Sequence, residues 1–247
     1  MYVAFLKCCV YSASLCQWVD FNAIIPQRQN EDIKTLYLLH GLKFDYTSWS
    51  RYTNVERYAE DAGIAVIMPD AGRSFYTDMV NGRKYYTYVS KELVEITRNM
   101  FHLSKIREKT FIAGLSMGGY GAYKIAFLNP ETFGKAASLS GAVDVTILNE
   151  KEWERENYLI TGGLKDLKGS EYDLYYLAQE LLKSGKPLPK LYQACGTSDF
   201  VYNSNVKFRD FIKDKGFDYK YYEGPGEHNW SFWEMHIKDV IEFMVRD

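Results

Sequence analysis

The chain has 247 residues, 47% of them hydrophobic, enough to fill the core of one sizeable domain spanning residues 1–247. With 30 Lys+Arg against 32 Asp+Glu and a formal charge of -2, it lacks the basic excess that nucleic acid or an anionic membrane selects. Four cysteines, Cys8, Cys9, Cys16 and Cys195, are too few and too irregularly spaced for a disulfide framework or a zinc site, so no metal is expected and a reducing cytoplasm suits them.

In chain order, the opening "MYVAFLKCCVYSASLC" departs from a secretory leader: Lys7 splits its apolar run, no basic region precedes it, and Leu15 before Cys16 spoils a lipoprotein cleavage box. No apolar run approaches the roughly 20 residues of a membrane span. Alternating apolar residues up to "WVDFNAIIPQ" read as antiparallel strands. Short apolar runs then follow at 35–39, 64–69, 110–115, 135–141, 191–196 and 218–224, each a candidate strand. Helical spacing appears between them around 54–62, 90–103, 117–128, 172–184 and 203–215, and again over 231–245. This alternation predicts a mostly parallel sheet covered by helices on both faces. Two long segments, 70–89 and 143–170, begin where strands end, the edge of an open parallel sheet at which ligands bind.

The sharpest local signal is "GLSMG", Gly114 to Gly118, lying between a predicted strand and a predicted helix. A G-x-S-x-G in that context is a nucleophile elbow: the turn strains the serine backbone, and side chains at the flanking positions would clash with neighbouring elements. Ser116 would then project above the sheet, at a helix N-terminus that favours developing negative charge.

A serine hydroxyl needs a base, and the base needs a carboxylate to fix its tautomer. Of the four histidines, His40 and His102 precede the serine and His236 falls inside the last helical pattern, where a surface or satisfied role is expected. His228 lies in "EGPGEHNWSFW", a loop between the last strand and the last helix. Asp144 and Asp199 both follow strands. Asp199 comes after the penultimate strand, on the sheet edge next to His228, and gives the chain order serine, acid, histidine, whereas Asp144 is also readable as a turn cap. Oxyanion donors are expected at the backbone N–H of Met117, after the nucleophile, and of Leu42, where Gly41 lets the chain approach closely. His40 would position that loop from beneath. On the 70–89 segment, Arg73, Tyr76 and Asp78 could hydrogen-bond a polar alcohol, and Trp230 could wall the pocket.

The segments "LYLLHG", "MPDAGRSFYTDM", "FIAGLSMGGYGAYKIA" and "FRDFIKDKGFDYKYYEGPGEHNWSFW" resemble the esterase branch of the α/β-hydrolases. That group contains esterase D, S-formylglutathione hydrolase and carbohydrate feruloyl and acetyl esterases, and the likeness is greatest to bacterial tributyrin esterases. The resemblance implies an α/β-hydrolase fold without a large lid domain and a carboxylesterase acting on small acetyl to butyryl esters, acylated carbohydrates among them. It implies no metal or organic cofactor, Ser116, Asp199 and His228 as the triad, and the acid of "GTSD" at Asp199. Feruloyl esters and S-formylglutathione are the alternative substrates. Such enzymes are often oligomers, and periodicity leaves the subunit number open. Residues 143–170 match no pattern of the group.

Overall fold

The computed structural model describes residues 2–27 and 32–246, so the expected domain of residues 1–247 is described apart from positions 1, 28–31 and 247. Its frame is one eight-stranded sheet: β1 (Val3–Ser12), β2 (Gln17–Pro26), β3 (Thr35–Leu39), β4 (Ala65–Pro69), β5 (Thr110–Leu115), β6 (Lys135–Leu139), β7 (Lys190–Gly196) and β8 (Tyr219–Gly224). The spatial order is β1-β2-β4-β3-β5-β6-β7-β8. The pairs β1–β2 and β2–β4 are antiparallel, and all pairs from β4 through β8 are parallel. The antiparallel hairpin is therefore an extension at one edge of a parallel sheet, and its turn is pinned by Glu92, which accepts bonds from Ser12 Oγ, Ala13 N and Ser14 N at 2.7, 2.6 and 3.1 Å.

The helices are α1 (Ser48–Tyr52), α2 (Val55–Ala62), α3 (Tyr85–Thr87), α4 (Leu93–Phe101), α5 (Met117–Leu128), α6 (Glu154–Thr161), α7 (Leu174–Ser184), α8 (Tyr202–Ile212) and α9 (Trp230–Val245). A π-helical turn, Tyr88–Glu92, joins α3 to α4, so the helical pattern expected at 90–103 begins earlier than its spacing suggested. The strand expected at 135–141 stops at Leu139, because Ser140 takes a left-handed backbone with φ 48°. The 143–170 segment holds two 3-10 turns and α6.

Two apolar clusters fill the two faces of the sheet. Tyr120, Tyr123, Phe127, Phe133 and Phe208 belong to one, and Trp49, Val55, Trp233, Ile237 and Val240 to the other. Runs such as "AVIMP" and "TFIAGL" are buried at every position, as strands covered on both faces must be. Helix α5 is enclosed from Met117 to Phe127, and its glycines make that possible. A Cβ on Gly119 would lie 2.6 Å from Ser138 Oγ, and one on Gly121 would lie 2.4 Å from the Tyr76 ring.

The same enclosure buries Lys124, whose ammonium lies 4.9 Å from the centre of the Tyr172 ring. Loss of hydration lowers its pKa from 10.5 to about 8. Between those two values the unfolded chain holds a proton that the folded chain has released, so stability rises as pH climbs from 8 to 10.5 and the penalty is fully present below 8. Lys124→Met should therefore stabilise the fold by about 1–3 kcal/mol at pH 7, and the gain should shrink toward pH 10. Urea unfolding of both proteins across that range measures it.

Candidate active site

Ser116 sits between β5 and α5 with φ 54° and ψ −119°, a backbone conformation that a non-glycine residue holds only when its surroundings enforce it. Here they do. Ser116 N–H donates to the Leu139 carbonyl at 2.9 Å, and Ala142 N–H donates to the Ser116 carbonyl at 3.1 Å. The flanking glycines answer to the same packing. A Cβ on Gly114 would be 2.4 Å from the Gly118 carbonyl oxygen, and one on Gly118 would be 2.6 and 2.7 Å from the Leu39 and His40 carbonyl oxygens.

His228 and Asp199 arrive on two loops that cross tightly. Ser198 N–H donates to the Gly226 carbonyl and Thr197 N–H to the Gly224 carbonyl, both at 2.9 Å. A Cβ on Gly196 would come within 2.4 Å of the Gly226 carbonyl oxygen, so only glycine fits the crossing. Asp199, its side chain fully buried, accepts from Val201 N–H at 3.0 Å and from His228 Nδ1 at 2.9 Å. With Nδ1 carrying that proton, His228 Nε2 is an acceptor, 3.0 Å from Ser116 Oγ. The chain of bonds from carboxylate to imidazole to hydroxyl can draw a proton off the serine as it attacks.

Leu42 lies in the turn after β3, and Met117 is the first residue of α5, where backbone N–H groups have no intrahelical acceptor. Gly41 packs directly on the elbow: its Cβ would stand 2.6 Å from Leu115 Cδ1 and 3.4 Å from Ser116 Cβ. His40 lies beneath, buried, with Nδ1 donating to the Gly41 carbonyl at 2.8 Å and Nε2 accepting from Ala71 N–H at 3.0 Å. It ties the Leu42 turn to the end of β4.

The expected pocket wall on 70–89 is not there. Tyr76 is fully buried and donates its hydroxyl to the His40 carbonyl at 2.9 Å, and burial pushes its phenol well above the ordinary range. Arg73 pairs with Glu156 of α6 at 2.8 Å, and Asp78 accepts from Thr87 N–H and Oγ1 at 2.9 and 2.6 Å. All three side chains are held by the protein itself. Trp230 is displaced too: it stacks on Tyr52 at 4.9 Å and meets Phe44 edge-on at 5.0 Å, so Phe44 and Trp233 form the wall assigned to it. Asp144 caps the first 3-10 turn through Thr146 N–H and Oγ1, at 3.1 and 2.7 Å. His236 is buried, not superficial, and its Nδ1 bonds Asp239 at 3.0 Å.

A cavity of about 350 Å³ opens over Ser116 and His228, bounded by Leu42, Phe44, Trp153, Phe200 and Trp233. Phe200 lies against the His228 ring at 4.5 Å, and Trp233 meets it edge-on at 5.0 Å. Neither was foreseen, although Phe200 follows Asp199 directly and Trp233 is one helical turn beyond Trp230. Trp153 had no local signal, since its segment matched no motif.

A mostly parallel sheet that presents a serine on a strained turn to a histidine and a buried aspartate defines a serine hydrolase of the α/β-hydrolase type. The chain belongs to the esterase family described as "Putative esterase", whose model matches residues 12–243. It is 34% identical to an acetyl esterase of Caldicellulosiruptor saccharolyticus, over 88% of this chain and 85% of that one. Among solved structures it is similar to FphF, a fluorophosphonate-binding serine hydrolase of Staphylococcus aureus, with 37% identity, a TM-score of 0.94 and 99% of both chains covered. It is also similar to an S-formylglutathione hydrolase, FrmB, of the same organism, with 36% identity, a TM-score of 0.92 and full coverage of both chains. The protein is a carboxylic ester hydrolase.

Tyr76→Phe should lower kcat about three- to tenfold by the same factor for every alcohol group, with a stability loss of about 1 kcal/mol from the buried His40 carbonyl left unpaired. A loss that varied with the alcohol in steady-state assays would instead mean that Tyr76 touches substrate.

Proposed function

We propose that the enzyme hydrolyses small acetyl to butyryl esters through an acyl-enzyme on Ser116. The observation that carries this reading is the unbroken hydrogen-bond chain from Asp199 through His228 to Ser116 Oγ, at 2.9 and 3.0 Å. Ser116 Oγ attacks the ester carbonyl while its proton passes to His228 Nε2, and Asp199 stabilises the imidazolium that forms. The N–H groups of Leu42 and Met117 receive the oxyanion, at the N-terminus of α5, where the helix dipole adds to them. Collapse breaks the bond to the alcohol, which leaves with the proton from His228. Water then attacks the acyl-enzyme by the same route, releasing the acid and restoring Ser116.

The likeness to an acetyl esterase supports short acyl groups in the cavity over Ser116. The cavity's aromatic walls, Phe44, Trp153, Phe200 and Trp233, support a second reading, in which an aryl acyl group such as ferulate stacks between them. A cytoplasmic setting suits the four free cysteines, of which Cys195 is buried with its thiol pKa raised by desolvation. Among the described residues no helix is long and apolar enough to cross a membrane.

Hydrolysis of p-nitrophenyl acetate, butyrate, octanoate and ferulate tests the reading. Acetate and butyrate should exceed octanoate in kcat/KM, and Ser116→Ala should cut kcat by roughly 10⁴–10⁶. His228→Ala should cost a similar factor and Asp199→Asn about 10⁴, each with the fold retained by circular dichroism. Preference for ferulate would select the second reading, and full activity in Ser116→Ala would remove both.

A further inference from the structure

A second cavity, of about 250 Å³, adjoins the catalytic one, and the two share Phe200 and Glu152 as a common wall. We infer that this second cavity is the subsite for the leaving alcohol, and that its charge selects alcohols bearing a positive group over neutral or anionic ones. The inference rests on Ser116 being the nucleophile and deepens that reading.

The direction follows from the chemistry. When the tetrahedral intermediate collapses, the carbon–oxygen bond to the alcohol breaks and the departing oxygen takes the proton held on His228 Nε2. The alcohol must therefore leave on the imidazole side of the site. Phe200 is packed against that imidazole, 4.5 Å away ring to ring, and it also lines the second cavity. An alcohol of more than a few atoms that extends past Phe200 enters that space.

The space is charged. Asp144, Glu150 and Glu152 line it against a single cation, Lys207. The Asp144 carboxylate remains an acceptor, since both bonds it receives, from Thr146 N–H and Oγ1, fall on Oδ1. A concave wall with an excess of carboxylates raises the local concentration of cations and repels anions, an effect that salt screens. Lys43 lines only the catalytic cavity, from the oxyanion turn, and does not enter the second one.

The test uses three acetates of similar size: acetylcholine, its neutral isostere 3,3-dimethylbutyl acetate, and 4-acetoxybutanoate. At about 10 mM salt, kcat/KM should be at least about fivefold higher for acetylcholine than for the neutral ester, and lower again for the anion. The cation-to-neutral ratio should fall toward one in the double variant Glu150→Gln, Glu152→Gln and in about 0.5 M salt, and should rise in Lys207→Gln. A wild-type ratio within twofold of one, or a ratio that survives the double variant, overturns the subsite while leaving Ser116-dependent hydrolysis of the neutral ester intact. If wild type hydrolyses neither these acetates nor p-nitrophenyl acetate, the subsite and the Ser116 reading fall together.

Discussion

Everything in this site depends on one strained residue. Ser116 is held at φ 54° because its N–H is bonded to the last residue of β6 and its carbonyl to the chain just beyond that strand, and because Gly114 and Gly118 close around it without side chains. The turn presses the start of α5 against the ends of β3 and β5, so Ser116, the Met117 N–H and the Leu42 turn share one rigid junction. The cost of an unfavourable backbone, about 1–3 kcal/mol for such a residue, is met by the close packing of α5 on the sheet.

A second layer keeps that junction in register. His40 bridges the Leu42 turn to Ala71, and Tyr76 bonds the His40 carbonyl from below. On the other side, Asn205 of α8 donates to the Gly141 carbonyl at 2.8 Å and accepts from Gln193 Nε2 at 2.9 Å, and Tyr219 donates to Gln193 Oε1 at 2.9 Å. This buried relay joins β7 and β8, which lead into the acid and histidine loops, to the segment that grips Ser116. Fully satisfied buried networks of this kind favour one geometry over near alternatives.

Residues 70–89 and 143–170 divide the remaining work in a way their positions alone do not reveal. The first packs under the Leu42 turn as support. The second, anchored by Glu156 to Arg73, turns Glu152 and Trp153 toward the cavity. The ion pair, buried on the Glu156 side, and the hydrogen bonds from Val80 N–H and Asn81 N–H to the Ile160 and Leu159 carbonyls, at 3.1 and 2.9 Å, together fix one segment against the other.

The alternation of apolar runs and helical spacing was sufficient to place the parallel strands and major helices, because burial on both faces demands continuous apolar runs and amphipathic covers. Gly114, Ser116, Gly118, Asp199 and His228 were legible for a related reason: a strained turn and crossing loops restrict residue type at the position itself. Side chains that act through tertiary contact were not. Tyr76 reads as polar and available, yet the absence of a side chain at Gly121 lets its ring slot against α5 and aims its hydroxyl at His40. Trp230 and Trp233 are one helical turn apart on α9, and only the packing of Tyr52 and Phe44 decides which one faces the cavity. Local backbone constraint is written residue by residue in the chain, whereas the direction of a side chain is set by neighbours that the chain brings together from far apart.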